Sequence, residues 1–220
     1  MIVRLIPSGC AALIFDMDGT LYTHEGYGSW QETSQVTRLA RHLGIQDEEA
    51  AAMLAQAREA RRAAGLPKTS MANLFLELGR NRGFLIDMQT IIRWREEEIR
   101  PAEWLKADPK LREALTVLAS RFRLCLLTNN PRSVGAASLA ALGVAPHFSS
   151  VIGLDDSLES KPTFKPFLKA CAALGLPPAS CVSIGDRMDV DIKPALALGM
   201  GGILVEGVED IYRLPELLRC

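Results

Sequence analysis

The sequence predicts an α/β fold, a doubly wound parallel sheet, with an all-helical segment inserted after the first strand. Two observations carry that expectation. Short apolar runs recur at residues 11–15, 123–127, 181–184 and 202–205, with a weaker one at 150–153, and helical patterns at 109–120, 134–142, 164–174 and 192–198 fall between them. Strands alternating with helices give a parallel sheet covered on both faces. Between residues 25 and 105 the alternation stops, and only helix-like segments remain near 30–43, 48–64, 70–80 and 88–99. The expected organisation is therefore an α/β core of residues 1–24 and 106–220 and a helical domain of residues 25–105.

The first strand ends in Phe15-Asp16-Met17-Asp18-Gly19-Thr20-Leu21-Tyr22. Side chains two apart on extended backbone share a face, so Asp16 and Asp18 point into one place. Two carboxylates held together need a cation or a shared proton, and a hard divalent ion such as Mg²⁺ suits oxygen ligands. In the inserted segment Val36, Leu39, Ala40 and Leu43 have helical spacing. Asp47 is the expected N-cap of the following helix. Gly26 and Gly28 are expected to loosen the first linker, and Pro101 with the residues before Pro109 to form the second.

Further strands deliver more chemistry. The run Leu124-Cys-Leu-Leu-Thr128-Asn129-Asn130 places a hydroxyl at a strand end. Ser160-Lys161-Pro-Thr-Phe164-Lys165-Pro-Phe167 offers two lysines, each followed by proline. Val182-Ser-Ile-Gly185-Asp186-Arg-Met-Asp189-Val-Asp191 leads from a buried strand into three aspartates. Ligands of doubly wound sheets bind beyond the carboxyl ends of the strands. Asp16, Asp18, Thr128 and Asp186 all fall there, although they are far apart in sequence.

These four elements, in this order, resemble the motifs of the haloacid dehalogenase (HAD) superfamily, in its phosphatase branch with a C1-type helical cap. Lys161 and Phe167 match the family pattern Lys-Pro-x-Pro-x-x-Phe except that Phe164 replaces the second proline. Asp186 and Asp191 match Gly-Asp-x-x-x-x-Asp. The resemblance implies a Rossmann-like core and a Mg²⁺-dependent phosphomonoesterase. In it Asp16 is the nucleophile that forms an aspartyl-phosphate, and Asp18 is the general acid and then the base. Lys161 balances charge, with Thr128 beside the phosphoryl group. Gly19, Thr20, Thr128, Asn129 and Lys161 are the candidate substrate contacts. Asp16, Asp18 through its carbonyl, and Asp186 are the candidate metal ligands, with Asp191 binding a metal water or orienting Lys161. Asp189 is expected to cap the next helix. A cap of this type would close over the site and choose the leaving group.

The implied partner is a small phosphorylated metabolite: a nucleotide, a sugar phosphate or phosphoglycolate. The rival readings are a β-phosphoglucomutase-like phosphomutase and a protein that binds phospho-ligands without turnover. A dehalogenase would not need Asp18 or the metal ligands, and a dinucleotide oxidoreductase would need a Gly-x-Gly-x-x-Gly turn that the first strand lacks. A net charge of -1 gives no basis for nucleic-acid binding. No apolar run reaches the roughly 18 residues of a membrane span. No signal peptide is read at the start, so the cytoplasm is expected, with a monomer or homodimer. Five cysteines (Cys10, Cys125, Cys171, Cys181, Cys220) lack metal-type spacing and are expected to be small buried thiols. His24, Tyr22 and the basic residues Arg58, Arg61, Arg62 and Lys68 have ordinary roles as linker, hinge packing and solvated helix face. Trp94 and Trp104 are expected core anchors.

Overall fold

In the computed structural model, residues 1–66 and 68–219 are described. Among them one sheet runs in the order β1-β6-β5-β2-β3-β4. Its strands are β1 (Ile2–Leu5), β2 (Ala12–Phe15), β3 (Arg123–Leu127), β4 (Phe148–Ile152), β5 (Cys181–Gly185) and β6 (Gly201–Leu204). Strands β2 to β6 pair in parallel, and β1 joins β6 antiparallel. The chain forms two compact units, Met1–His24 with Arg100–Cys220, and Glu25–Ile99. No described helix is long and apolar enough to cross a membrane.

The first unit is the α/β core. Strand β2 has β3 on one side and β5 on the other, in a shared register that sets Phe15 opposite both Leu126 and Ile184. Its four residues are buried on both faces, as a central parallel strand requires. The end of β2 is therefore the topological switch point, where doubly wound sheets bind ligands.

The second unit holds α1 (Glu25–Leu43), α2 (Asp47–Ala63), α3 (Met71–Arg82) and α4 (Met88–Glu98). Ser70 and Asp87 cap α3 and α4 by accepting the Asn73 and Thr90 N–H groups. Trp94 is buried, edge-on to Phe75 at 6.1 Å. Arg58, Arg61 and Arg62 pair with Glu32, Glu77 and Glu59. Three expectations fail here. Asp47 is the first helical residue rather than the cap, which is Gln46, and its carboxylate accepts the Thr37 hydroxyl. Gly26 and Gly28 lie inside α1 and not in a linker. The unit ends at Ile99 and not at 105, because Pro101 is buried and opens α5 (Pro101–Trp104) within the core unit. Trp104 meets His24 edge-on at 5.7 Å.

The core continues with α6 (Pro109–Ala119), α7 (Arg132–Ala141), α8 (Leu154–Ser157), α9 (Phe164–Leu174), α10 (Lys193–Ala197), α11 (Val208–Tyr212) and α12 (Leu214–Leu217). Helix α9 buries Phe167, Ala170, Cys171 and Leu174, the i, i+3, i+4, i+7 face of a helix lying on a sheet. This face packs with Ala12 and Ile14 of β2 and with Cys125 and Cys181. Burial of Phe167 contributes about 1.5–3 kcal/mol and anchors the end of the loop that carries Lys161. Cys125, Cys171 and Cys181 are buried thiols, Cys10 is half-buried, and Cys220 lies outside the described residues. Burial pushes the Cys125 thiol up to about 12, which keeps it protonated and inert.

Candidate active site

Three loops converge beyond the ends of β2, β3 and β5. Asp16 is the first residue after β2, tied to β5 by its N–H to the Ile184 carbonyl at 2.8 Å. Lys161 reaches it from the segment before α9. Its Nζ donates to Asp16 Oδ1 and to Asp191 Oδ1, each at 2.6 Å, and its side chain is 3% exposed. A buried ammonium persists only when paired and hydrogen-bonded. Burial lowers its proton affinity, but the two carboxylates outweigh that and hold Lys161 above the ordinary lysine range. Lys165, the other candidate, is half exposed and pairs with Glu159 at 3.2 Å. Of the two lysines, Lys161 is the one that reaches Asp16.

Asp186, at the end of β5, completes an acidic group. Oxygens of Asp16, Asp186 and Asp191 lie within 4.8 Å of one another. Burial first, then the Asp191 charge, pushes the Asp186 carboxyl up to about 6. Burial likewise pushes Asp16 up to about 8, Lys161 pulling against it and Asp191 and Asp18 adding to it. Asp186 Oδ1 is buried without a hydrogen-bond partner. An orphaned buried carboxylate oxygen is costly unless something fills its coordination. Three carboxylates with one lysine leave an excess of negative charge, and an all-oxygen set fits Mg²⁺.

Asp191 is 1% exposed and fully engaged. Its Oδ1 holds Lys161, its Oδ2 accepts the Arg187 N–H at 3.1 Å, and its carbonyl accepts the Ser183 hydroxyl at 2.9 Å. Of the two expected roles, orienting Lys161 is the one its contacts describe. A single π-helical turn, Met188–Ile192, folds Asp191 back over the strand end. A Cβ on Gly185 would lie 2.5 Å from the Asp191 Cβ, so that return needs glycine. Asp189 caps no helix. It is exposed and pairs loosely with Arg187 at 3.4 Å, because the π turn moves the next helix start to Lys193.

The expected substrate contacts divide. The Thr128 hydroxyl oxygen accepts the Asn130 N–H at 3.1 Å, so its proton is what it can offer an anionic oxygen. Thr20 is fully buried, so a ligand contact is closed to it in this conformation. Asn129 is spent on the backbone of Lys161: its Oδ1 accepts the Lys161 N–H at 2.8 Å and its Nδ2 donates to the Lys161 carbonyl at 3.3 Å. Its side chain acts as a clasp on the Lys161 backbone. Gly19 serves by having no side chain. Its φ of +76° is left-handed, and a Cβ there would come within 2.7 Å of Asp186 Oδ2. Gly19→Ala is expected to cost more than about 1 kcal/mol and to weaken Mg²⁺ binding by displacing Asp186. Urea midpoints and Mg²⁺ titration calorimetry check both, and an unchanged pair of values would contradict the packing.

Two contacts were not foreseen. The Tyr22 hydroxyl donates to Asp18 Oδ1, and Asn130 Nδ2 donates to Asp18 Oδ2 at 3.2 Å. Both residues stand in motifs noted above, but no spacing rule says which of two adjacent asparagines turns toward the first strand.

Residues 10–199 match a family model described as a hydrolase, haloacid dehalogenase-like hydrolase. The chain is 31% identical over 128 residues to N-acylneuraminate-9-phosphatase of Rattus norvegicus, covering 51% of this chain and 52% of that one. It spans about half the length or less of the N-acylneuraminate-9-phosphatases it matches. It is 28% identical over 198 residues to fructose-1-phosphate phosphatase YqaB of Escherichia coli (strain K12), covering 88% and 95%. Among solved structures, a HAD phosphatase from Thermococcus onnurineus has the same fold, with a TM-score of 0.59 at 21% identity over 94% of this chain and 97% of that one.

Proposed function

The chain belongs to the haloacid dehalogenase-like hydrolase family, and we propose that it hydrolyses phosphate monoesters of small metabolites in a Mg²⁺-dependent reaction. One observation carries the reading. Lys161 Nζ bridges Asp16 and Asp191 while an oxygen of Asp186, close by, is buried without a partner. That is a nucleophilic carboxylate with a counterion and an adjacent place for a divalent ion. Two of the relatives are named an N-acylneuraminate-9-phosphatase and a fructose-1-phosphate phosphatase, which supports a sugar phosphate or another small phosphorylated metabolite as substrate.

Asp16 attacks phosphorus in line, and the bond to the leaving oxygen breaks as Asp18 gives that oxygen a proton. Asp18 then takes a proton from water as the water attacks the aspartyl-phosphate and frees Asp16 and phosphate. Lys161 favours the ionised form of Asp16 against the burial that opposes it and donates to phosphoryl oxygens, and Thr128 offers its hydroxyl to another. Asp191 holds Lys161 in place. Asp16, Asp186 and the Asp18 carbonyl would hold Mg²⁺, which would supply positive charge to offset that of the phosphoryl group.

The test is phosphate release from p-nitrophenyl phosphate and a panel of metabolite phosphates, with Mg²⁺ and with EDTA. Turnover that falls at least about 100-fold in EDTA is expected. Isomerisation of a sugar phosphate without free phosphate would identify a phosphomutase instead. Mg²⁺ binding with no turnover of any ester would point to a binding protein.

A further inference from the structure

We infer that Tyr22 and Asn130 are positioning residues that clamp the Asp18 carboxyl, one at each oxygen, and so aim its proton at the leaving group. This rests on the phosphatase reading above. A turn closed by the Thr20 and Leu21 N–H groups on the Met17 carbonyl, at 3.2 and 3.0 Å, brings Tyr22 back beside Asp18. Tyr22 is 7% exposed, so its ring is fixed by packing and its hydroxyl stays on Asp18 Oδ1. Asn130 is 9% exposed and its backbone is pinned on both sides. Its N–H goes to the Thr128 hydroxyl at 3.1 Å, and its carbonyl accepts the Leu154 N–H at 2.9 Å. The next turn is tied by the Arg132 N–H to Asp155 at 2.7 Å. The amide that reaches Asp18 Oδ2 therefore sits on a rigid mount.

A carboxyl gripped at both oxygens cannot rotate about its Cβ–Cγ bond without breaking a hydrogen bond. That matters for a group that must deliver a proton and later remove one along fixed directions. The Tyr22 hydroxyl can donate to Oδ1 whether Asp18 is charged or neutral, so the proton is carried on Oδ2, which accepts from Asn130 through another lone pair and turns its O–H toward the ester oxygen. The proton moves from the Asp18 O–H to the ester oxygen as the P–O bond breaks, and no further reactant is involved.

Leaving-group dependence tests this. An alkoxide needs the proton, whereas dinitrophenolate departs without it. Tyr22→Phe and Asn130→Ala are compared with wild type on the fastest alkyl phosphate of the panel and on dinitrophenyl phosphate. For each variant the ratio of kcat/KM on the alkyl ester to that on the aryl ester is expected to fall at least about tenfold. The two variants perturb different loops, so misfolding of one leaves the other as the test. Equal falls on both esters would mean damage to the site as a whole and would overturn the clamp alone, as would no fall in either variant. A wild type inert on both esters would overturn the phosphatase reading and the clamp with it.

Discussion

Asp16→Asn is expected to lower kcat at least about 1,000-fold and to leave the protein folded. The loss follows from the chemistry: an amide oxygen is a poor nucleophile, and no other carboxylate is placed to replace it. Asp18 is gripped by Tyr22 and Asn130, Asp191 by Lys161 and the Arg187 N–H, and Asp186 lies at the end of a different strand. Retention of the fold follows from the electrostatics. Burial pushes Asp16 up to about 8, so its charged form is the costly one in the metal-free protein. Asparagine has the same shape, still accepts from Lys161, and leaves that lysine paired with Asp191. The urea midpoint in EDTA should therefore equal or exceed that of wild type. Acid-quenched intact mass should show a phosphoryl adduct on wild type during turnover and none on the variant. A variant that kept more than about a tenth of the activity would remove Asp16 from the nucleophile's place.

The strands that hold this site were legible because they are buried on both faces and read as apolar runs, broken only by Arg123 at the exposed start of β3 and by Ser183 in β5. The acidic ends of β2 and β5 were legible because nothing apolar explains Asp16 or Asp186 where a buried strand stops. Strand β1 escaped notice because Ile2–Leu5 is exposed throughout and carries Arg4 in its middle, so neither alternation nor a continuous run marks it. The polar interior of the helical unit escaped for a related reason. Helix α1 buries Gln31 and Gln35 along with Tyr27 and Leu39, and Gln35 accepts the buried Arg95 guanidinium at 2.9 and 3.0 Å. A search for apolar periodicity passes over such a face. The roles of Asn129 and Asn130 were hidden for a third reason: identical neighbours point opposite ways, one to Lys161 and one to Asp18, and only the loop's path decides which. The competition between Lys161 and Lys165 shows what geometry adds. Both precede proline, but only the first can extend into the space beside Asp16, because Lys165 already lies in the exposed first turn of α9.

Lys161→Ala should separate charge balance from metal binding. Lys161 is the cation shared by Asp16 and Asp191, with side-chain exposures of 3%, 12% and 2% for the three groups. Removing the shared cation leaves Asp191 without its buried counterion and forces Asp16 to take a proton, a loss of about 3–5 kcal/mol. Urea unfolding in EDTA should show that loss, whereas Lys165→Ala should change stability by less than about 1 kcal/mol, because its pair with Glu159 is half exposed. Turnover should fall at least about 100-fold for Lys161→Ala, since the phosphoryl oxygens lose a fixed positive donor. Mg²⁺ affinity should move the other way. The ammonium repels a divalent ion, and its removal leaves three carboxylates within 4.8 Å with less to neutralise them. The variant should therefore bind Mg²⁺ more tightly by titration calorimetry and regain much of its stability on adding it, while remaining nearly inactive. Weaker Mg²⁺ binding would show that Lys161 builds the metal site instead of competing with it, and normal turnover would remove it from the reaction.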